Sequence, residues 1–152
     1  MFKHVIVPLD GSEVAQRALG YAKKIVDPNG GRITLLTVVT LPEYTMAYYP
    51  AVVPYDNGPS LVNEQLIPQA LDYLKKEASE LSKIGYNVEV QAIMDEPASG
   101  IVDTADELGV DAIVMSTHGR SGISRWLFGS VASKVLGSAN CPVLIVPVRP
   151  TQ

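Results

Sequence analysis

Ser116-Thr-His118-Gly119-Arg-Ser-Gly122-Ile-Ser-Arg-Trp-Leu-Phe-Gly129-Ser130 stands between an apolar run, Asp111-Ala-Ile-Val-Met115, and an apolar pattern of helical spacing that begins at Val131. Strand, glycine-bearing loop, helix is the order of a βα unit. A loop rich in glycine lets backbone N–H groups approach an anion, and the helix behind it aims unpaired N–H groups and the positive end of its dipole at the same place. The segment therefore predicts a phosphate cradle.

Outward from that segment the alternation continues. Val5-Ile-Val-Pro-Leu9 is a short apolar run suited to a strand covered on both faces, and Asp10-Gly-Ser12 ends it with turn and N-cap chemistry. Ala15, Ala18, Leu19, Ala22, Ile25 and Val26 recur at helical spacing until Pro28-Asn-Gly-Gly31. A second strand is expected over Arg32–Val39, and a second helix with Leu71, Leu74, Ala78 and Leu81 buried, ending near Gly85. Asn87–Ile93 alternates polar with apolar, the pattern of an edge strand. Pro97 opens a helix that Gly109 closes, and a fourth strand covers Asp111–Met115. Val131, Val135 and Leu136 mark a short helix closed by Gly137, before a fifth strand over Pro142–Val146. These intervals imply βαβ units in a doubly wound α/β sheet: five parallel strands in the order 3-2-1-4-5, with helices on both faces.

Residues 1–152 are expected to form one domain, since 47% hydrophobic content over this length fills a single core. Within it, Pro42 to Ser60, with four tyrosines, exceeds an ordinary connection and reads as a long flexible loop, either a lid or a flap packed on the body. A net charge of −4 gives no cationic field for a nucleic-acid backbone. Cys141 is the only cysteine, which excludes an internal disulfide and suits a reducing cytoplasm. The opening apolar run is too short for a signal h-region or a membrane span, so a soluble cytoplasmic chain is expected.

In a sheet of this order, ligands bind beyond the carboxyl ends of the strands at the switch point, between strands one and four. Asp10 and the Ser116 to Ser130 loop should converge there. Backbone N–H groups around Gly119 and Gly129, with the Ser130 hydroxyl, would take phosphate oxygens, and Arg120 or Arg125 could add a charged contact. Asp10 repels phosphate and suits ribose hydroxyls. Val38 and Met115 could flank a base. Duller readings stand beside these: Ser130 as an N-cap, Asp10 with Ser12 as a helix cap, His118 as a structural hydrogen-bonder, Val38 and Met115 as core. No P-loop, no G-x-G-x-x-G after the first strand, no G-x-S-x-G and no metal-ligand spacing occurs in the sequence. A phosphorelay receiver would need acidic neighbours for Asp10 and a lysine after the last strand, where Val146-Pro-Val-Arg149 has none.

These residues resemble the universal stress protein family in its nucleotide-binding branch. Val7-Pro8-Leu9-Asp10-Gly11-Ser12 resembles its opening strand and turn. Ser116-x2-Gly119-x9-Gly129-Ser130 resembles its G-x2-G-x9-G-[ST] signature, with Ser116 in place of the first glycine. Cys141–Val146 resembles its closing strand. The resemblance implies ATP, with Mg²⁺ held through phosphates and water, in a stress-responsive regulatory protein whose hydrolysis, if any, is slow. It implies that Asp10 lies near the ribose, that Val38 lies by the adenine, and that Gly119, Gly129, Ser130 and Val131 enclose the phosphates. Pro8 and Met115 would line the pocket. The candidate site is thus Pro8, Leu9, Asp10, Val38, Met115, Ser116, His118, Gly119, Arg120, Gly122, Gly129, Ser130 and Val131, with no catalytic or metal-ligating residue assigned. The resemblance also implies a homodimer through the last strand, and an uncovered apolar edge over Val143–Val146 argues separately for such pairing.

Overall fold

The computed structural model of the chain describes residues 1–40, 62–118 and 129–148. The tyrosine-bearing segment 42–60 and the loop residues Gly119, Arg120 and Gly122 lie outside them. The elements are β1 (His4–Pro8), α1 (Glu13–Ile25), β2 (Arg32–Val39), a π-helical turn (Val62–Leu66), α2 (Ile67–Lys83), β3 (Asn87–Met94), α3 (Pro97–Leu108), β4 (Ala112–His118), α4 (Ser130–Ser138) and β5 (Val143–Val148). They build a five-stranded sheet of order β3-β2-β1-β4-β5, every pairing parallel, as expected.

The strand pleat divides the core into two layers. Val5, Val7, Ile33, Leu35 and Val114 face one layer with Ala18, Leu19 and Ala22 of α1 and Leu74 and Leu81 of α2. Ile6, Leu36, Ile113 and Met115 face the other, with Ile101, Val102 and Ala105 of α3 and Ala132 and Val135 of α4. Ile6, Leu36 and Ile113 are wholly buried; truncating such a side chain to alanine costs about 2–5 kcal/mol. β3 is an edge, and its exposure alternates as expected over Asn87–Val90, whereas Gln91, Ala92 and Ile93 are all half-buried. Gly109 ends α3 at φ 59, a left-handed conformation that glycine adopts without steric cost.

Several boundaries differ from the sequence reading. β4 runs on past Met115 through Ser116 and Thr117 to His118, because its polar end pairs with β5: Ser116 is opposite Val146 and Thr117 opposite Pro147. β5 accordingly extends to Val148. Gly137 does not close the last helix but lies within it, and the chain leaves at Ala139 in an extended conformation. Leu136, one of the residues that marked this helix, is 41% exposed; Ala132 and Val135 carry the buried face.

β1 and β4 are tied firmly at their starts. The Asp111 carboxylate accepts from the amides of Lys3 and His4 at 2.8 Å each, and the Asp111 amide donates to the His4 carbonyl at 2.8 Å. His4, 8% exposed, meets the Thr34 hydroxyl through Nε2 at 2.8 Å. Burial, and then the charge of Arg32, hold its imidazole below the ordinary value of 6.5, against the opposing pull of Glu89 and Asp111.

Candidate functional site

The two strands that start so closely tied stop pairing after two residues. The register of β1 with β4 covers Val5 with Ala112 and Ile6 with Ile113, whereas β1 pairs with β2 along all five residues and β4 with β5 along six. The reason lies in Pro8. The Leu9 amide donates to the Leu36 carbonyl at 2.8 Å, so odd positions of β1 direct their backbone groups to β2 and even positions to β4. Position 8 should supply the next N–H toward β4, and proline has none. The ladder therefore ends at the carboxyl end of the sheet, between the strands where the order reverses, which is where open α/β sheets hold ligands.

Pro8 and Val38 lie at the carboxyl ends of β1 and β2, and Met115 lies midway along β4, the next strand. By strand alternation their side chains belong to one face, that of α3 and α4, where Met115 is a buried core residue and partly buried Val38 packs against the same cluster. Ser116 faces the opposite way, with Val114 and Val146. Its Oγ is buried and has no hydrogen-bond partner among the described residues. It sits in extended strand, and no non-glycine residue among those described takes a positive φ, so serine brings no backbone strain to this position.

Leu9 is buried in the α1 layer, and its carbonyl accepts from the Thr37 hydroxyl at 2.9 Å, which anchors the turn that follows. In that turn Gly11 takes φ 87. The Asp10 Oδ1 accepts from the Ser12 amide at 2.9 Å and from the Ser12 hydroxyl at 2.5 Å. The Ser12 Oγ in turn accepts from the Ala15 amide at 3.2 Å, making Ser12 the N-cap of α1. Asp10 is exposed, and among the described residues only its Oδ1 is engaged. The capping reading of Asp10 and Ser12 thus holds, and it leaves Oδ2 as an acceptor at the mouth.

The start of α4 differs in kind. Gly129 is its N-cap and makes no side-chain capping bond; Ser130 is the first helical residue, so the N-cap reading of Ser130 does not hold. The first turn of any helix leaves N–H groups without intrahelical acceptors, and α4 carries no acidic residue there. α1, by contrast, has Ser12, Asp10 and Glu13 at its start. The two helix starts are unequal toward an anion: one is already satisfied by acid and hydroxyl, whereas among the described residues the other has no side-chain cap and no acid. Gly129 has φ −53, open to any residue, and a Cβ built on it meets nothing within 4 Å among the described residues. Ser130 is exposed and Val131 partly buried against the α3 and α4 layer.

β4 carries the backbone to His118, while Gly119, Arg120 and Gly122 fall outside the described residues. Two features escaped the sequence reading: Pro8 as the residue that ends a ladder, and Gly100 of α3, which lies against Val38. A proline closing an apolar strand was the available signal for the first.

Residues 1–147 match the model of the universal stress protein family. Universal stress protein MJ0531 of Methanocaldococcus jannaschii is 30% identical over 146 residues, covering 96% of this chain and 82% of that protein. The solved structure of MJ0577, from the same organism, superposes with a TM-score of 0.79 at 27% identity, covering 99% of both chains. A universal stress protein family protein from Arabidopsis thaliana, solved with AMP bound, superposes with a TM-score of 0.65 over 97% of this chain and 93% of that one. At 18% identity that likeness is one of fold.

Proposed function

The chain belongs to the universal stress protein family, and on that premise we propose that it is a homodimeric regulatory protein that binds ATP between β1 and β4. The observation that carries this reading is the end of β1–β4 pairing at Ile6 and Ile113, at the switch point of the sheet. The unequal helix starts orient the ligand. Phosphates go to the open start of α4, around Gly129, Ser130 and Val131, where backbone N–H groups and the helix dipole favour negative charge. The ribose goes to the free oxygen of Asp10, and the base to the face shared by Pro8, Val38 and Met115. Mg²⁺ enters with the phosphates and is held by their oxygens and by water. Gly119, Gly122, Arg120 and His118 complete the phosphate end, and Leu9 and Ser116 carry the backbone around it. AMP in the Arabidopsis protein lends support from the same fold.

Binding, not turnover, is the activity proposed, since Asp10 is committed to Ser12 through one oxygen rather than standing as a general base. No helix among the described residues is long and apolar enough to cross a membrane; we place the protein in the cytoplasm, as one domain over residues 1–152.

The dimer is proposed along β5. The Ile113 amide donates to the Pro142 carbonyl at 2.9 Å, so even positions of β5 face β4 and the N–H and C=O groups of Val143 and Ile145 face outward. Pro147, also outward, offers no N–H and limits the ladder. Leu144 is 37% exposed on this edge. Native mass spectrometry of the purified protein tests both halves. A dimer carrying an adenine nucleotide is expected; a monomer that takes up no added ATP contradicts the proposal.

A further inference from the structure

Gly100 sits in the first turns of α3, buried, with its amide donating to the Glu96 carbonyl at 2.8 Å. Glycine in a helix interior costs roughly 1 kcal/mol against alanine, so its place there needs a reason. Its backbone is ordinary; the space is not. A Cβ built on Gly100 would lie 3.0 Å from both γ-carbons of Val38 and 3.2 Å from the Cβ of Asp95. All three are closer than ordinary van der Waals contact. Missing a side chain, α3 settles directly onto the end of β2 and onto the corner that joins β3 to α3. That corner is itself pinned, with the Asp95 amide donating to the Val39 carbonyl at 3.4 Å and the Glu96 amide to the Asp95 Oδ1 at 2.7 Å.

Val38 is β-branched, so its side-chain rotation about χ1 is restricted against a strand backbone. With α3 pressed on its γ-methyl groups from one side, it cannot retreat from the other. We infer that Gly100 is a positioning residue for the base end of the site: it brings α3 onto Val38 and so fixes the wall against which a purine base lies. This rests on the nucleotide reading of the same site and adds to it the element that sets the depth of the base pocket. An added methyl group at position 100 has two outlets, tilting α3 away from the sheet or pushing the Val38 side chain into the base position. Because the corner at Asp95 and Glu96 holds the start of α3, the second outlet is the one taken.

The test uses Gly100→Ala, Val38→Ala and the double variant in the full chain, with two probes, ATP and inorganic tripolyphosphate. The expected result for Gly100→Ala is an ATP affinity lower by about tenfold, the scale of one intruding methyl group in an apolar pocket, with tripolyphosphate binding unchanged. Removing both γ-methyl groups leaves only the 3.2 Å approach to the Asp95 Cβ, so Gly100→Ala should lower the urea midpoint clearly more when Val38 is intact than when it is combined with Val38→Ala. Equal loss of ATP and tripolyphosphate affinity, or unchanged ATP affinity in folded Gly100→Ala, overturns the positioning role. A urea-midpoint shift that is the same in both backgrounds overturns the contact that causes it. Should the wild-type chain bind neither probe, the nucleotide reading falls and the base-wall role with it. The urea cycle, which needs no ligand, then reports separately on whether Gly100 clamps Val38.

Discussion

The backbone N–H of Leu9 donates to the carbonyl oxygen of Leu36 at 2.8 Å, and that bond fixes which neighbour each residue of β1 addresses. Pro8 is turned toward β4 with nothing to donate. The consequence is a β1–β4 seam laced tightly at one end, through Asp111 to Lys3 and His4, and unpaired at the other.

Pro8→Ala restores the missing donor. The added N–H can extend the β1–β4 ladder, and a ligand would then have to break that bond to enter. A net hydrogen bond is worth about 1 kcal/mol, so ATP affinity should fall roughly fivefold. Hydrogen exchange should at the same time be slow at the amide that the substitution creates at position 8. Unchanged affinity together with a fast-exchanging amide would show that Pro8 does not hold the crevice open.

Gly129→Val separates ligand space from backbone need. Its φ of −53 and the room around its Cβ position among the described residues predict a folded chain, with a urea midpoint lowered only by the poorer N-cap that valine makes. A side chain in phosphate space should weaken ATP by about tenfold or more. Ser130→Ala should cost about 1 kcal/mol of binding for a lost neutral hydrogen bond. Full affinity in folded Gly129→Val would place the phosphates elsewhere.

Asp10 has two jobs that two substitutions separate. Asp10→Asn keeps an oxygen for Ser12 and should leave stability nearly unchanged, while the loss of charge at the ribose weakens ATP several-fold. Asp10→Ala removes the turn bonds as well and should lower stability by about 1 kcal/mol. Equal binding by wild type and both variants would remove Asp10 from the site.

Ile145→Pro deletes an outward N–H at the centre of the β5 edge, where proline is tolerated because the donor faces away from the sheet. The expected product is a folded monomer by sedimentation. A dimer that survives would have to form through another surface.

His4 makes stability depend on pH with a definite sign. Its folded value is held below the unfolded 6.5 by burial and by Arg32, so the unfolded chain binds the proton more readily. Stability should be full above pH 6.5 and decline as the pH falls from there through the folded value. His4→Gln, which can still hydrogen-bond Thr34, should lack this part of the decline when urea midpoints are compared across pH.

Much of the fold was legible because parallel sheets write themselves as separated apolar runs. Arg32–Val39 has the bounds read from its β-branched sequence, Pro97 and Gly109 bracket α3, and the alternation of Asn87–Ile93 marked an edge. The end of β4 was not legible. Ser116-Thr-His118 is polar, and only pairing with β5, a partner distant in sequence, makes it strand. Gly137 reads as a stop, yet α4 passes through it because a helical glycine is only mildly unfavourable. Asp10 and the Gly129-Ser130 helix start were legible as polar groups beside strand ends. That Ser12, braced by Asp10, caps α1 while Ser130 lies inside α4 depends on hydrogen bonds that residue types alone do not fix.

The most direct test is titration of the isotopically labelled protein with Mg·ATP, followed by backbone amide resonances. Saturable shifts at Ser130, Val131 and Ala132 in α4 and at Gly11 and Ser12 beside Asp10, with one common dissociation constant, are the expected result. Shifts absent from α4, or confined to surfaces away from the carboxyl ends of β1 and β4, would contradict a nucleotide site between those strands.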